Sequence, residues 1–102
     1  MIKSFRHKGL DELFYKGKTK LINKSLYKKL RLQLIFLNAL GAGEEERILE
    51  TPWAPHRLCG NNSRGQDVDG HFSFKVTGNW RMVFKYDDLN GEVILIDFID
   101  YH

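Results

Sequence analysis

Residues 71–86 have the sequence HFSFKVTGNWRMVFKY, and this segment decides the fold. Apolar residues alternate with polar ones on both sides of the central Gly78-Asn79 pair, which is the period of a β-strand with one buried face. Gly and Asn are residues that favour tight turns. The segment therefore predicts two antiparallel strands joined in a hairpin.

The length of the turn sets the register of this hairpin. A two-residue loop, residues 78–79, would put the apolar residues of the two strands on opposite faces. A three-residue loop, residues 77–79, pairs Val76 with Trp80 and keeps the apolar sets on one face. We therefore predict the longer loop, with Asn79 in the left-handed conformation that it requires.

The same register places Lys75 directly opposite Arg81 on the other face of the hairpin. Two cations across a strand pair repel each other, and an anion such as phosphate between them would relieve the repulsion. The planar guanidinium of Arg81 suits phosphate better than an ammonium does. The alternative is that both side chains simply extend into water.

The chain ends in three residues able to take part in proton transfer, Asp100-Tyr101-His102. They follow residues 93–99, an apolar run that predicts a third strand covered on both faces. This strand returns beside the previous one, so the three residues should end within roughly 10 Å of Arg81, at about 3.4 Å per residue and about 4.8 Å between strands. An imidazole titrates near neutral pH. A structural role at the end of the strand is about as well supported as a catalytic one.

The first half of the chain predicts helices. Residues 10–15 form a short amphipathic segment that Gly17 ends, and residues 2–5 are a candidate short strand. Residues 22–40 predict the main helix, which Gly41 to Gly43 stops, and the acidic stretch that opens with residues 44–46 could be a short helix. Apolar residues mark the buried stripe of the main helix at helical spacing: Ile22, Leu26, Leu30, Leu34 and Leu37, widened by Leu32, Phe36 and Leu40.

Composition narrows the class of protein. The 102 residues suit a single domain, and one cysteine, Cys59, excludes an internal disulfide. No signal-like or membrane-spanning apolar segment is present, so we expect a cytoplasmic protein. Residues 1–31 carry a net charge of +8 and the remainder −5, which favours a polyanionic or acidic partner. Neither the His nor the Asp spacing predicts a metal site, and Trp53 and Trp80 are more typical of core residues than of base-stacking platforms.

Three motifs together resemble the HigB toxins of bacterial toxin–antitoxin systems, within the RelE-like superfamily. They are HRLCG at residues 56–60, FSFKV followed by NWRMVF within residues 72–84, and the terminal Asp-Tyr-His; residues 1–17 are similar as well. The resemblance implies an α+β fold over residues 1–102, with N-terminal helices packed on a twisted, mostly antiparallel sheet. It also implies cleavage of mRNA on the small ribosomal subunit. Its implied partner is a HigA-like antitoxin that binds operator DNA. The toxin would be associated with operator DNA only through its complex with this antitoxin.

The resemblance further implies an RNase without metal or cofactor, in which a 2′-hydroxyl attacks the adjacent phosphate. Arg81 would bind the phosphate, and His56 and His102 would serve as base and acid in an order left open. Asp100 could orient an imidazole or take the proton, and Tyr101 could stack on a base or donate its hydroxyl. The candidates for binding RNA or phosphate, besides Arg81, are Arg57, Lys75, Lys24 and Lys28.

Two departures from the HigB pattern keep a second function open. Cys59 stands where relatives can carry a Lys, and Arg57 or Lys75 are the candidates to supply the missing charge. Residues 61–70 are polar and Gly-rich, which predicts a longer, mobile loop. A catalytically weak domain that acts by binding antitoxin, ribosome or operator complex is therefore the alternative to an endoribonuclease.

Overall fold

The computed structural model describes residues 1–101 and has helices followed by a four-stranded sheet. The helices are α1 (Lys8–Lys16), α2 (Tyr27–Asn38) and α3 (Glu45–Leu49), with a 3₁₀ turn at Lys24–Leu26. The strands are β1 (His56–Arg57), β2 (Phe72–Thr77), β3 (Trp80–Asp87) and β4 (Glu92–Asp100). The α+β class is therefore confirmed. Within residues 1–101, no helix has the length and apolar character to cross a membrane.

The four strands are arranged in chain order, and every neighbouring pair is antiparallel. The N-terminal chain runs along the free edge of β4 and makes two parallel bridges, Ile2 with Val93 and Phe5 with Ile96. The strand predicted at residues 2–5 is thus reduced to two isolated bridges. They cover the edge of β4, which would otherwise expose unpaired backbone groups.

The register of the β2–β3 hairpin is as predicted in its body and different at its turn. Lys75 lies opposite Arg81, which confirms that pairing, but Thr77 rather than Val76 lies opposite Trp80. The loop therefore has two residues, and the left-handed residue is Gly78, with φ +51°, rather than Asn79. A bulge between Lys75 and Thr77 absorbs the extra residue, so the apolar sets still share one face despite the short loop.

The helices cover one face of the sheet and form the main core with it. Helix α2 is shorter than predicted, because Asn23 caps the 3₁₀ turn before it by accepting a hydrogen bond from the Ser25 N–H. Leu32, predicted in the buried stripe, is 56% exposed. The fully buried apolar side chains of this core include Leu10, Leu13, Leu30, Leu34, Leu37, Ile48, Phe72, Phe74, Met82, Phe84, Val93 and Ile96.

Strand β4 contributes to both faces of the sheet, as its sequence predicts. Ile96 and Phe98 belong to the main core, whereas Ile99 joins a second, smaller apolar cluster with Val68 and Val83. Leu95 has φ +57° where the β3–β4 register shifts. This second cluster anchors the segment before β2 to the face that the helices leave uncovered.

Candidate active site

A cavity of about 220 Å³ opens at one end of the sheet, on the face away from the helices. Three of its lining residues are the predicted catalytic residues His56, Arg81 and Tyr101, and the others are Leu58 and Ser73. The structure thus brings an imidazole, a guanidinium and a phenol, all predicted from three separate motifs, to one concave site.

Strand pairing sets the positions of these side chains. His56 pairs with Ser73 across β1 and β2, and Arg81 pairs with Ile99 across β3 and β4. The Tyr101 N–H donates to the Asn79 carbonyl at 2.7 Å, which extends the β3–β4 pairing past the end of β4. The expected approach of the chain end to Arg81 is confirmed for Tyr101.

The guanidinium of Arg81 is held by its own turn. Its Nη1 donates to the carbonyls of Gly78, at 2.7 Å, and Trp80, at 3.1 Å. These contacts limit the rotamers available to a long side chain, so less conformational entropy is lost when an anion binds. The result is a partly buried cation oriented at the rim of the cavity.

The other two terminal residues, Asp100 and His102, are not among the residues shown to line the cavity. Asp100 pairs with Trp80 at the end of β4 and is partly buried, beside the cavity rather than among its lining residues. His102 lies outside the described residues. Of the predicted chain-end residues that the structure describes, Tyr101 lines the cavity and Asp100 lies beside it.

The structure does not bring all the predicted phosphate-binding cations to the cavity. Lys75 is exposed on the same face as Arg81. Arg57 instead lies on the face of the main core, where it forms a 2.8 Å ion pair with Glu45 and sits over the Phe72 ring, 4.7 Å from its centroid. Because adjacent residues of a strand point to opposite faces, His56 and Arg57 cannot both serve the cavity, and Arg57 is ill-placed to replace the missing Lys.

Lys24 and Lys28 also lie apart from the cavity. Both are exposed in the helical layer, in the 3₁₀ turn and at the start of α2. Because the helices and the cavity occupy opposite faces of the sheet, these two lysines belong to a separate surface.

Two lining residues, Ser73 and Leu58, were not predicted. Ser73 is 4% exposed and pairs with His56. The alternation of the strand places Ser73 on the same face as Lys75, and this pattern could have identified it from the sequence. Leu58 packs with Tyr101 against the second apolar cluster. They add one hydroxyl and one apolar side chain to the lining of the cavity.

Residues 61–70, whose composition predicts a mobile loop, make hydrogen bonds among themselves and bury one apolar side chain. The Asn62 side chain accepts hydrogen bonds from the N–H groups of Arg64 and Gln66, at 2.9 and 3.0 Å. Val68, 1% exposed, inserts between Val83 and Ile99. The burial of Val68 thus holds this polar loop against the sheet beside the cavity. Cys59, just before the loop, is exposed.

His71 is buried just before β2, and burial lowers the pKa of its imidazole, with the charges of Arg6 and Lys85 acting in the same direction. It is therefore neutral at physiological pH. Its Nδ1 has no hydrogen-bond partner among residues 1–101. Within the same residues, no cluster of three or more His, Cys, Asp or Glu side chains is arranged to hold a metal ion.

Comparison with known proteins identifies the family of the chain. Residues 3–102 match the family model described as the RelE-like toxin of the type II toxin–antitoxin system HigB. The chain is also 36% identical over 104 positions to a protein of Proteus vulgaris named Endoribonuclease HigB, and the alignment covers all of both chains. The chain therefore belongs to the HigB-like family of RelE-like toxins, the toxin components of type II toxin–antitoxin systems.

Proposed function

We propose that this toxin is an endoribonuclease that cleaves mRNA on the ribosome and so stops translation. The observation that carries the proposal is the cavity in which His56, Arg81 and Tyr101 meet. The full-length similarity to a protein named Endoribonuclease HigB supports it. An imidazole can transfer protons, a guanidinium can stabilise developing negative charge and a phenol can donate a hydrogen bond, so this set suits a phosphodiester cleavage without metal or cofactor.

The proposed reaction is an attack of a ribose 2′-oxygen on the adjacent phosphorus. A base takes the 2′-hydroxyl proton as the new P–O bond forms, and an acid protonates the departing 5′-oxygen as the old bond breaks. The products are a 2′,3′-cyclic phosphate and a 5′-hydroxyl end. Arg81 stabilises the negative charge that accumulates on the phosphorane oxygens, and electrostatic stabilisation of this kind is usually the largest single contribution to catalysis.

His56 and His102 are the proposed proton-transfer pair, with Asp100 as an orienting group or an alternative base. Tyr101 lines the cavity and presents either its ring to a base or its hydroxyl to a phosphate oxygen. Lys75, opposite Arg81, adds positive charge along the path of the RNA backbone.

The toxin has a protein antitoxin as its partner, which membership in a type II system implies. We further propose that this antitoxin is HigA-like, that operator DNA is bound only by the toxin–antitoxin complex, and that the toxin acts in the cytoplasm on the small ribosomal subunit. A catalytically weak toxin that acts by binding is the second candidate. It is favoured by Cys59 in the place of a Lys, since Arg57 is engaged with Glu45 and Lys75 is left of the two candidates to supply that charge.

Arg81 offers a direct test of the function. Arg81→Ala should lower the rate of cleavage by about 10²–10³-fold, as removal of one stabilising group from a developing oxyanion does. The measurement is mapping of new 5′-hydroxyl mRNA ends after induction in growing bacteria, at matched expression.

Lys85→Ala is the matched control for Arg81→Ala, because Lys85 is an exposed cation on the same face of β3 that does not line the cavity. Wild-type protein that arrests growth without producing new 5′ ends would reject the endoribonuclease and favour the binding alternative.

Lys24 and Lys28 test the ribosome contact. Replacing both with Glu should weaken ribosome binding and reduce the slope of log affinity against log salt by about 2, since each lost phosphate contact removes about 1 from that slope. Sedimentation with ribosomes at several salt concentrations measures it. Replacing Arg64 and Lys85 with Glu applies the same charge change outside the helical layer. An equal effect of the two pairs would show that net charge, and not this surface, is responsible.

A further inference from the structure

A second cavity, of about 230 Å³, lies at the same end of the sheet but on the helix-covered face. Its walls are mainly apolar and aromatic, and the proposed cleavage reaction uses none of them. The lining residues are His7, Leu21, Ile22, Asn23, Leu26, Trp80 and Phe98. We call this the Trp80 cavity.

Trp80 is the unusual member of this group. It is 38% exposed, although the sequence predicts a core residue. Its indole stacks on the Phe98 ring at 4.7 Å between centroids, with 26° between the planes, and the His7 ring meets Phe98 edge-on at 5.9 Å. Phe98 thus contacts both the Trp80 ring and the His7 ring, and these contacts restrict the orientation of the exposed indole at the mouth of the cavity.

His7 adds a hydrogen-bond donor of known identity to this cavity. Its Nδ1 accepts the Leu10 N–H at 3.1 Å as the N-cap of α1, and burial lowers the pKa of the imidazole. The single proton of the neutral ring is therefore on Nε2. The cavity combines a stacking surface with the polar side chains of His7 and Asn23, and aromatic surface with hydrogen-bonding groups is the combination that recognises an unpaired base.

The Trp80 cavity is lined in part by a basic segment of the chain. The segment from residue 13 to residue 43 contains seven Lys or Arg and no Asp or Glu. Lys20 and Lys24 are exposed and flank the lining residues Leu21 to Asn23 in the chain. Aromatic surface with a cationic rim is typical of single-stranded nucleic-acid binding, since the rim attracts phosphates while the rings receive bases.

The Trp80 cavity is also adjacent to the proposed active site. Trp80 and Arg81 are consecutive residues of β3 and therefore point to opposite faces of the sheet. The β4 residue opposite Trp80 is Asp100, and the next residue, Tyr101, lines the active-site cavity. An RNA strand with its scissile phosphate at Arg81 needs only to pass the end of β3 and β4 to bring a neighbouring base to Trp80.

We propose that the Trp80 cavity is a subsite that stacks an unpaired nucleobase next to the scissile phosphate and thereby contributes to the choice of cleavage site. This inference rests on the proposed function, because it requires RNA at Arg81. An apolar side chain of a protein partner would fill the same walls, but the exposed Lys20 and Lys24 beside them favour a ligand that carries negative charge, which the phosphates of RNA supply next to a stacking base.

The test compares Trp80→Leu with wild-type protein in binding a short single-stranded RNA with a 2′-deoxy substitution at the cleavage position. A second RNA has an abasic nucleotide at the neighbouring position. Trp80→Leu should weaken binding of the intact RNA about tenfold, within the contribution of one base–aromatic stack, and leave binding of the abasic RNA unchanged. Trp80→Phe should retain most of the affinity, which keeps the test valid if Trp80→Leu fails to fold.

Tyr15→Leu is the matched control, because Tyr15 is a 59% exposed aromatic residue that does not line the Trp80 cavity. Wild-type protein that binds both RNAs equally, or neither, would overturn the proposal, as would a Trp80→Leu effect confined to antitoxin binding. Mapping of cleavage sites separates this proposal from the function. Absence of cleavage by wild-type protein would reject the endoribonuclease, whereas cleavage with unaltered base preference in Trp80→Leu would reject only the subsite; Trp80→Phe, which keeps an aromatic face, should retain the wild-type preference.

Discussion

His56→Ala should lower the rate of RNA cleavage by about 10²–10⁴-fold, the range that a positioned general acid or base contributes. His56 is exposed and lies on the two-residue strand β1, where its side chain faces the cavity beside Ser73 and Arg81. Its removal deletes a proton-transfer group without leaving a gap in the core. We expect the melting temperature to change little, so the loss would report on chemistry rather than on folding.

The pH dependence of the rate then separates the base from the acid. A base works deprotonated, so its removal abolishes the acidic limb of the profile of kcat/KM against pH; removal of the acid abolishes the basic limb. His56→Ala and His102→Ala should therefore each lose a different limb. If both variants keep the full bell shape at a reduced rate, neither imidazole transfers the proton, and Asp100 becomes the leading candidate.

Phe74→Ala should lower the free energy of unfolding by about 3–5 kcal/mol, the cost of deleting a large buried ring. Phe74 is fully buried, and its ring lies 5.0 Å from that of Phe84 and 5.1 Å from that of Trp53, between centroids. It joins the hairpin to the segment before β1. The total free energy of unfolding of a single domain is only about 5–15 kcal/mol, so Phe74→Ala would remove much of the stability.

Urea denaturation measures this change. Leu89→Ala is the control, because Leu89 is 85% exposed and a surface substitution should change stability by no more than about 0.5 kcal/mol. A loss below about 1 kcal/mol for Phe74→Ala would show that the ring does not occupy a close-packed core.

The sequence predicted the hairpin well because its information is local. Alternation over residues 71–86 fixes which side chains share a face, and the pairing of Lys75 with Arg81 follows. The direction of the next strand then brings Tyr101 towards Arg81. The turn was predicted wrongly because the preference for one apolar face can be met in two ways, by a longer loop or by a bulge, and the sequence pattern does not distinguish them.

The candidate site was predicted only in part. His56 and Arg57 are adjacent in the sequence and carry equally suitable chemistry, yet one reaches the cavity and the other contacts Glu45 on the opposite face. Which of them serves the site depends on the pairing of β1 with β2. That pairing links positions far apart in the chain and leaves no signal in a two-residue strand.

The sequence by itself determined the hairpin of β2 and β3, the strand that follows it, the helical character of the first half and the residue types able to cleave RNA, because these depend on periodicity, turn residues and side-chain chemistry. The tertiary structure alone decided that the lysines of the helical layer lie across the sheet from the cavity. It also decided that Val68 fastens the polar loop and that Trp80 stays exposed on Phe98. These outcomes depend on which surfaces meet when distant segments pack, and hydrophobic burial, being non-directional, does not specify that from local pattern.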